Sequence, residues 1–277
     1  MCFRHSQNEI GPPTMKRLTK LLGKTLIIAA GFSALSASAD VLQDIKDRNL
    51  IRIAVPQDFP PFGSVGTDLK PQGIDVDMAN YIAKEMGVKI EIIPVTSANR
   101  IPYLQTQKVD LVISSLGKNP EREKAIDFST PYAPFFLGVF GSKDVAVTKI
   151  GELADKTVGV TRGSVEDLEL EKNAPKSVNV RRFEDNNTTL TAYLSGQVNL
   201  IATGNLVAAE IAKRQPQRAP ENKFMLKDSP CYIGMAKGEV ALQAKVNELI
   251  KSALASGELN EISMKWLKAP LPKGFGA

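Results

Sequence analysis

Over 277 residues the chain carries 35 Lys+Arg against 30 Asp+Glu, a formal net charge of +5. Five of those bases (Arg4, Lys16, Arg17, Lys20, Lys24) and one acid (Glu9) precede position 40, which leaves 30 bases and 29 acids; the later chain is nearly neutral and lacks the basic stripe that nucleic-acid binding requires. The only histidine, His5, and one of the two cysteines, Cys2, lie in the same leading stretch, so the remaining 238 residues, with Cys231 alone, exclude an intrachain disulfide, Ser-His-Asp or Cys-His catalysis, and metal sites built on imidazole or paired thiolates.

The leading stretch reads as an export signal. Met15-Lys16-Arg17 with Lys20 and Lys24 makes a basic start, Leu26–Leu35 is an apolar run, and Ala37-Ser38-Ala39 is a small-x-small cleavage site before Asp40. The run falls well short of the ~20 residues of a membrane span. Residues 1–14 read as an extension upstream of a natural start at Met15. The expected product is an exported, periplasmic protein beginning at Asp40.

Beyond Asp40, short apolar runs alternate with amphipathic ones. Leu50–Val55, Lys89–Val95 and Val109–Ser114 read as strands, with helices over Ile74–Met86, closed by Gly87, and Pro102–Gln107. The pattern repeats: Thr157–Val160, Val178–Phe183 and Val198–Thr203 as strands, Val165–Lys172 and Thr188–Leu194 as helices. Val240–Leu267 follows as a long helical stretch interrupted at Gly257, and Pro270 and Pro272 end it. Strands alternating with helices predict an α/β fold of two similar lobes, each a mostly parallel sheet flanked by helices.

Open parallel sheets bind ligands outside the carboxyl ends of their strands. In the first half those ends are Gln57–Phe62, Thr96–Arg100 and Ser114–Gly117, with Arg122 soon after. In the second they are Thr161–Ser164, Glu184–Asn187 and Thr203–Asn205. Small hydroxyls, amides and glycines dominate all six, beside an aromatic ring and two arginines. Such residues suit a small polar anion or zwitterion: a guanidinium for a carboxylate, bare N–H groups at helix starts, and a ring to pack against. No phosphate loop or metal cluster is present, and no cofactor is expected.

At these positions the chain resembles a family. The strand followed by Asp58-Phe59-Pro60-Pro61-Phe62, the opening Gly73-Ile74-Asp75-Val76-Asp77, the stretch from Val109 to Ser114, Glu121-Arg122, and Ile126-Asp127-Phe128-Ser129-Thr130-Pro131-Tyr132 are similar to amino-acid-binding periplasmic proteins of ABC importers, solute-binding family 3. The resemblance implies two α/β lobes joined by two extended crossover segments, near Pro131–Gly138 and Ser229–Gly234, that close on one amino acid. It divides the chain into a first lobe of residues 40–133 and 231–277 and a second of 134–230.

Carried over residue by residue, the resemblance makes Arg122 the clamp of the ligand carboxylate, with Gly117, Ser114 and Ser115 beside it. It makes Phe59 the ring over the ligand, and Gly163, Ser164 and Val165 the turn that offers N–H groups, although Val165 lacks the usual hydroxyl. Ser97 and Arg100, in Ser97-Ala98-Asn99-Arg100, look like the pair that meets a side-chain carboxylate in glutamate/aspartate binders; Arg100 as a solvated residue before a helix is the alternative. The family's usual acid for the ligand ammonium is absent, because Thr203 is followed by Gly204 and Asn205. Glu166 or Asp185, beside Asn186, is then left to substitute, or the ligand lacks a free ammonium. The implied partners are a small-molecule ligand, with polar or acidic amino acids favoured, and an inner-membrane ABC permease; the chain is expected to be a monomer and not an enzyme. Two other readings share the fold: a dehydratase or lyase with Glu166 or Asp185 as general acid, and a ligand sensor feeding a membrane receptor.

Overall fold

The computed structural model describes residues 40–276, and the leading stretch read as an export signal lies outside them. From Asp40 the chain runs through α1 (Val41–Asp47), β1 (Leu50–Val55), the short strands β2 (Asp58–Phe59), β3 (Gly63–Val65) and β4 (Pro71–Gln72), α2 (Ile74–Met86), β5 (Lys89–Pro94), α3 (Arg100–Gln105), β6 (Leu111–Leu116), α4 (Pro120–Ala125) and β7 (Ile126–Ala133). It continues with β8 (Phe136–Gly141), β9 (Thr157–Thr161), α5 (Val165–Asn173), β10 (Asn179–Phe183), α6 (Asn186–Leu194), β11 (Leu200–Gly204), α7 (Asn205–Arg214) and β12 (Glu221–Asp228). Last come β13 (Cys231–Ala236), α8 (Val240–Ser256) and α9 (Glu258–Leu267).

Two five-stranded sheets organise these elements, one in the order β5-β1-β6-β13-β7 and the other β10-β9-β11-β8-β12; β2, β3 and β4 form a small third sheet. Each large sheet with its helices makes one lobe of a two-lobed α/β fold. The expectation of mostly parallel sheets holds for strand direction: in each sheet four of the five strands run the same way and one, β13 or β8, is reversed. In each sheet the three strands of the β-α-β alternation are parallel, and the remaining two pairings are antiparallel: β13 with β6 and β7, and β8 with β11 and β12. The cause is the path of the chain. It leaves the first sheet along β7, enters the second along β8, exits along β12 and returns along β13, so outgoing and returning strands lie side by side in opposite directions.

Burial follows from the layering. Every residue of β6 and β11, the inner parallel strands, is buried. The amphipathic α2 turns Ile74, Met78, Ile82 and their neighbours inward and ends at Gly87, whose left-handed conformation (φ 68°) closes the helix. The largest apolar core packs Ile51, Ile53 and Ile113 of the first sheet against α2, α8 and α9, and reaches through Phe59, Phe62 and Phe135 to Leu137 and Val207 of the second lobe. Among the described residues no helix is long and apolar enough to cross a membrane.

Candidate functional site

The carboxyl ends of the parallel strands in both sheets face one cleft, lined by residues of both. The first lobe lines it with Phe59, Ser97, Arg100, Ser115 and Gly117. The second contributes Ser164, Val165, Glu166, Asn186 and Thr203. Phe135 and Ser229, from the two links between the sheets, complete the wall with Leu137, Thr161 and Ala202.

Arg100 opens α3 two residues before Pro102, which is tolerated there because the first turn of a helix leaves its N–H groups unbonded. Its side chain is buried and faces the cleft, and Nε donates to Ser114 Oγ at 3.1 Å. Burial lowers the guanidinium pKa, and Asp58, Asp75 and Glu166 oppose that shift. Arg100 is therefore no solvated loop residue. Next to it, Ser115 has φ +40°, an uncommon conformation for a residue with a Cβ. It is held there by Asp75, whose Oδ2 accepts from the Ser115 N–H at 2.8 Å while Oδ1 accepts from the Tyr132 hydroxyl at 2.6 Å. Complete burial pushes the Asp75 carboxyl up to about 7, against the opposing pull of Tyr132, the Ser115 N–H and Arg100.

Arg122 sits one layer behind the wall. Asn119 caps α4 by accepting from the Arg122 N–H at 2.8 Å, which fixes the start of the side chain. The guanidinium then donates from Nη1 to the Gly117 carbonyl and from Nη2 to the Gly163 carbonyl, each at 2.9 Å, joining a loop of each lobe. Burial and the neighbouring Arg100 bring its pKa down to about 9, with Glu166 opposing. Two of its five N–H donors are thereby committed, and three are left. Gly163 itself (φ +71°) lies so close to the first lobe that an added Cβ would stand 3.0 Å from Ala98 Cα.

In the second lobe, Ser164 caps α5 by accepting from the Asp167 N–H at 3.2 Å, and Val165 and Glu166 form the first turn at the cleft. Glu166 is 5% exposed. Its burial raises the carboxyl pKa, while its own backbone N–H, the Ser164 hydroxyl, Arg100 and Arg122 act in the other direction. Asp185 stands outside the wall, where it accepts from the Thr188 N–H at 2.7 Å and the Thr188 hydroxyl at 2.8 Å in a capping box that starts α6. Asn186, the next residue, lines the cleft and is clasped by the first lobe: Asp58 Oδ2 accepts from its backbone N–H at 2.7 Å and Oδ1 from its Nδ2 at 3.1 Å.

Gly204 and Asn205 also stand behind the lining. Asn205 Oδ1 accepts from the Phe136 N–H at 3.2 Å, which ties α7 to β8. A Cβ at Gly204 would lie 1.7 Å from Phe135 Cζ, so the Phe135 ring fills the space that a side chain there would need. Phe135 and Ser229 were not among the residues expected from sequence. Both lie in the two-residue links between sheets, and a phenylalanine and a serine carry no spacing signal; only the proximity of 135 to 204, sixty-nine positions apart, reveals the first.

Known proteins resemble this chain in sequence and in fold. The chain is 30% identical over 264 residues to the ABC transporter glutamine-binding protein GlnH of Bacillus subtilis (strain 168), covering 91% of this chain and 95% of that one. The solute receptor for L-cysteine of Neisseria gonorrhoeae superposes with a TM-score of 0.75 at 33% identity, covering 82% of this chain and 93% of the receptor. An ancestral arginine-binding protein bound to arginine superposes with a TM-score of 0.73 at 32% identity, covering 79% and 98%. The family model for bacterial extracellular solute-binding proteins, family 3, matches residues 51–269, and the chain belongs to that family.

Proposed function

We propose that this protein is the periplasmic receptor of an ABC importer, a monomer exported through a cleaved leader ahead of Asp40, which captures one polar or acidic amino acid and passes it to an inner-membrane permease. Residues 40–133 with 231–277 act as one lobe and 134–230 as the other, and the two close on the ligand. The observation that carries this reading is the buried Arg100 guanidinium in a cleft built from the strand ends of both sheets. Guanidinium binds a carboxylate in a planar, two-pronged manner, and a desolvated site strengthens the pair.

Arg122, through its remaining donors, shares the ligand's α-carboxylate, and Phe59 packs over the ligand. Ser97, Ser115 and Thr203 supply hydroxyls, and Ser164 and Val165 supply the N–H groups of the α5 start. The relatives differ in what they bind, so the ligand is read from this chain's own residues. A cationic side chain directed at Arg100 is repelled, which favours acidic amino acids first and small carboxylates without an amine second.

A thermal-shift screen of residues 40–277 against the common L-amino acids, dicarboxylates, opines and polyamines tests this. A ligand at 100 times its Kd stabilises by about 2.7 kcal/mol. Acidic or polar amino acids are expected to raise the melting temperature and to be recovered chemically unchanged, as expected of a carrier. Arg100→Ala is expected to weaken acidic ligands roughly 10²- to 10³-fold. Arginine or lysine as the tightest ligand, or unaltered affinity in Arg100→Ala, overturns this account of the cleft.

A further inference from the structure

An amino acid enters a desolvated cleft with an ammonium as well as a carboxylate, and a buried cation without a counter-charge is strongly unfavourable. Accepting the receptor reading above, the acids around the cleft can be taken one at a time. Asp58 is bonded to Asn186 through both oxygens, and Asp75 to Ser115 and Tyr132 through both. Asp167 accepts from the Gly163 N–H at 3.0 Å and pairs with Arg182 at 2.7 Å. Asp185 is engaged in its capping box. Glu184 is exposed and pairs with Arg162. Position 204 is a glycine, and the ring of Phe135 fills the space that a side chain there would take.

Glu166 remains. It lines the cleft, it is 5% exposed, and among the described residues it forms no ion pair within 4.0 Å. Arg100 stands in the same cleft on the other lobe, so the two walls present opposite charges. The lining also holds a buried hydroxyl with no partner: Ser229 Oγ, 3% exposed, has no hydrogen bond among the described residues. A buried hydroxyl of that kind is suited to meet a polar atom of a ligand.

We propose that Glu166 is the residue that receives the ligand's ammonium, so that Glu166 and Arg100, one from each lobe, together select a zwitterion over a simple carboxylate. The choice follows from Phe135, which occupies the end of β11 and shifts the anionic pole to the first turn of α5. The ligand then bridges the lobes by its own two charges, and an amine-free analogue grips only the Arg100 side.

The test is calorimetric titration of the protein and its Glu166→Gln and Glu166→Asp variants. The probes are the common L-amino acids, each paired with the carboxylic acid that lacks its α-amino group. Glu166→Gln removes a buried charge without changing shape, and an unaltered circular dichroism spectrum verifies the fold. Wild type is expected to prefer the amine-bearing member of its best pair. Glu166→Gln should lose roughly 30-fold or more in affinity for that member while binding the amine-free member within threefold of wild type, and Glu166→Asp should recover part of the loss. If amine-free acids bind wild type as tightly as their amino acids, or if Glu166→Gln weakens both members equally, the assignment of Glu166 is overturned and the receptor reading stands. If no member of any pair binds wild type, both are overturned.

Discussion

The tightest constraint in the site is the trio Asp75, Ser115 and Tyr132. Ser115 occupies a backbone region that costs of order 1–3 kcal/mol and persists only when its surroundings enforce it; here the Asp75 carboxyl provides that enforcement. Asp75 itself is destabilised as an anion, since burial lifts its pKa from 3.8 to about 7. Because the unfolded chain releases this proton near pH 4 and the folded chain holds it until about pH 7, the folded state binds more protons in between, and the contribution of Asp75 to stability falls as pH rises through that window. At about 1.4 kcal/mol per pH unit the loss approaches roughly 4 kcal/mol when complete. Asp75→Asn is therefore expected to flatten the dependence of unfolding free energy on pH between about 4 and 7, as measured by denaturant titration against wild type; parallel curves refute the buried ionisation. The residue pattern Gly73-Ile74-Asp75 was legible as a motif, whereas its partners were not, because Ser115 and Tyr132 lie 40 and 57 positions away.

At the scale of elements, the legible parts were those with strong local periodicity. The helix over Ile74–Met86 has the bounds that its amphipathic spacing and Gly87 predict, and the two terminal helices part at Gly257. The strand expected over Val109–Ser114 instead spans Leu111–Leu116. Asp110 marks the entry: its N–H donates to the Arg52 carbonyl at 2.9 Å, and its carboxylate accepts from the Arg52 N–H at 2.7 Å and pairs with Arg48 and Arg52, which ties the start of the strand to β1. The helix expected from Pro102 begins at Arg100 and that from Thr188 begins at Asn186, which brings both side chains to the cleft. Helix starts also hold the lobes together, since the Asn186 N–H at the head of α6 is bonded to Asp58 of the opposite lobe. Asp58→Ala removes two bonds to a charged acceptor without removing any cleft-lining side chain. It is expected to weaken ligand binding about tenfold, almost wholly through faster release; stopped-flow kinetics with an unchanged release rate would contradict the clasp.

For the whole molecule, the alternation of strands and helices foretold two α/β lobes but not the single reversed strand of each sheet, β13 in one and β8 in the other. Those strands are made by segments that pass between lobes, and the neighbouring Glu221–Asp228, with no buried residue, has little apolar pattern to betray it. Hydrogen bonds that join the lobes include Asp58 with Asn186, Arg122 with the Gly163 carbonyl, and Lys227 Nζ with the Lys118 carbonyl at 2.9 Å. Charge balance at this scale belongs to the later chain, and Asp40, the expected first residue after cleavage, already caps α1 by accepting from the Leu42 N–H at 3.1 Å. N-terminal sequencing of the exported protein should begin at Asp40, and size-exclusion chromatography should return one copy; retention of Leu26–Leu35, or a dimer, contradicts the proposed processing and state.

The ring of Phe135 against Gly204 also sets an order in which the site can change. With 1.7 Å between a Cβ at 204 and the ring, an acid introduced there first meets a steric barrier, whereas a smaller residue at 135 opens the space at the cost of a cavity beside Phe59 and Phe62. The two positions are coupled, and their substitutions are not additive. An acid at 204 therefore requires the Phe135 ring to move or to be shortened, so a change at one position is felt at the other.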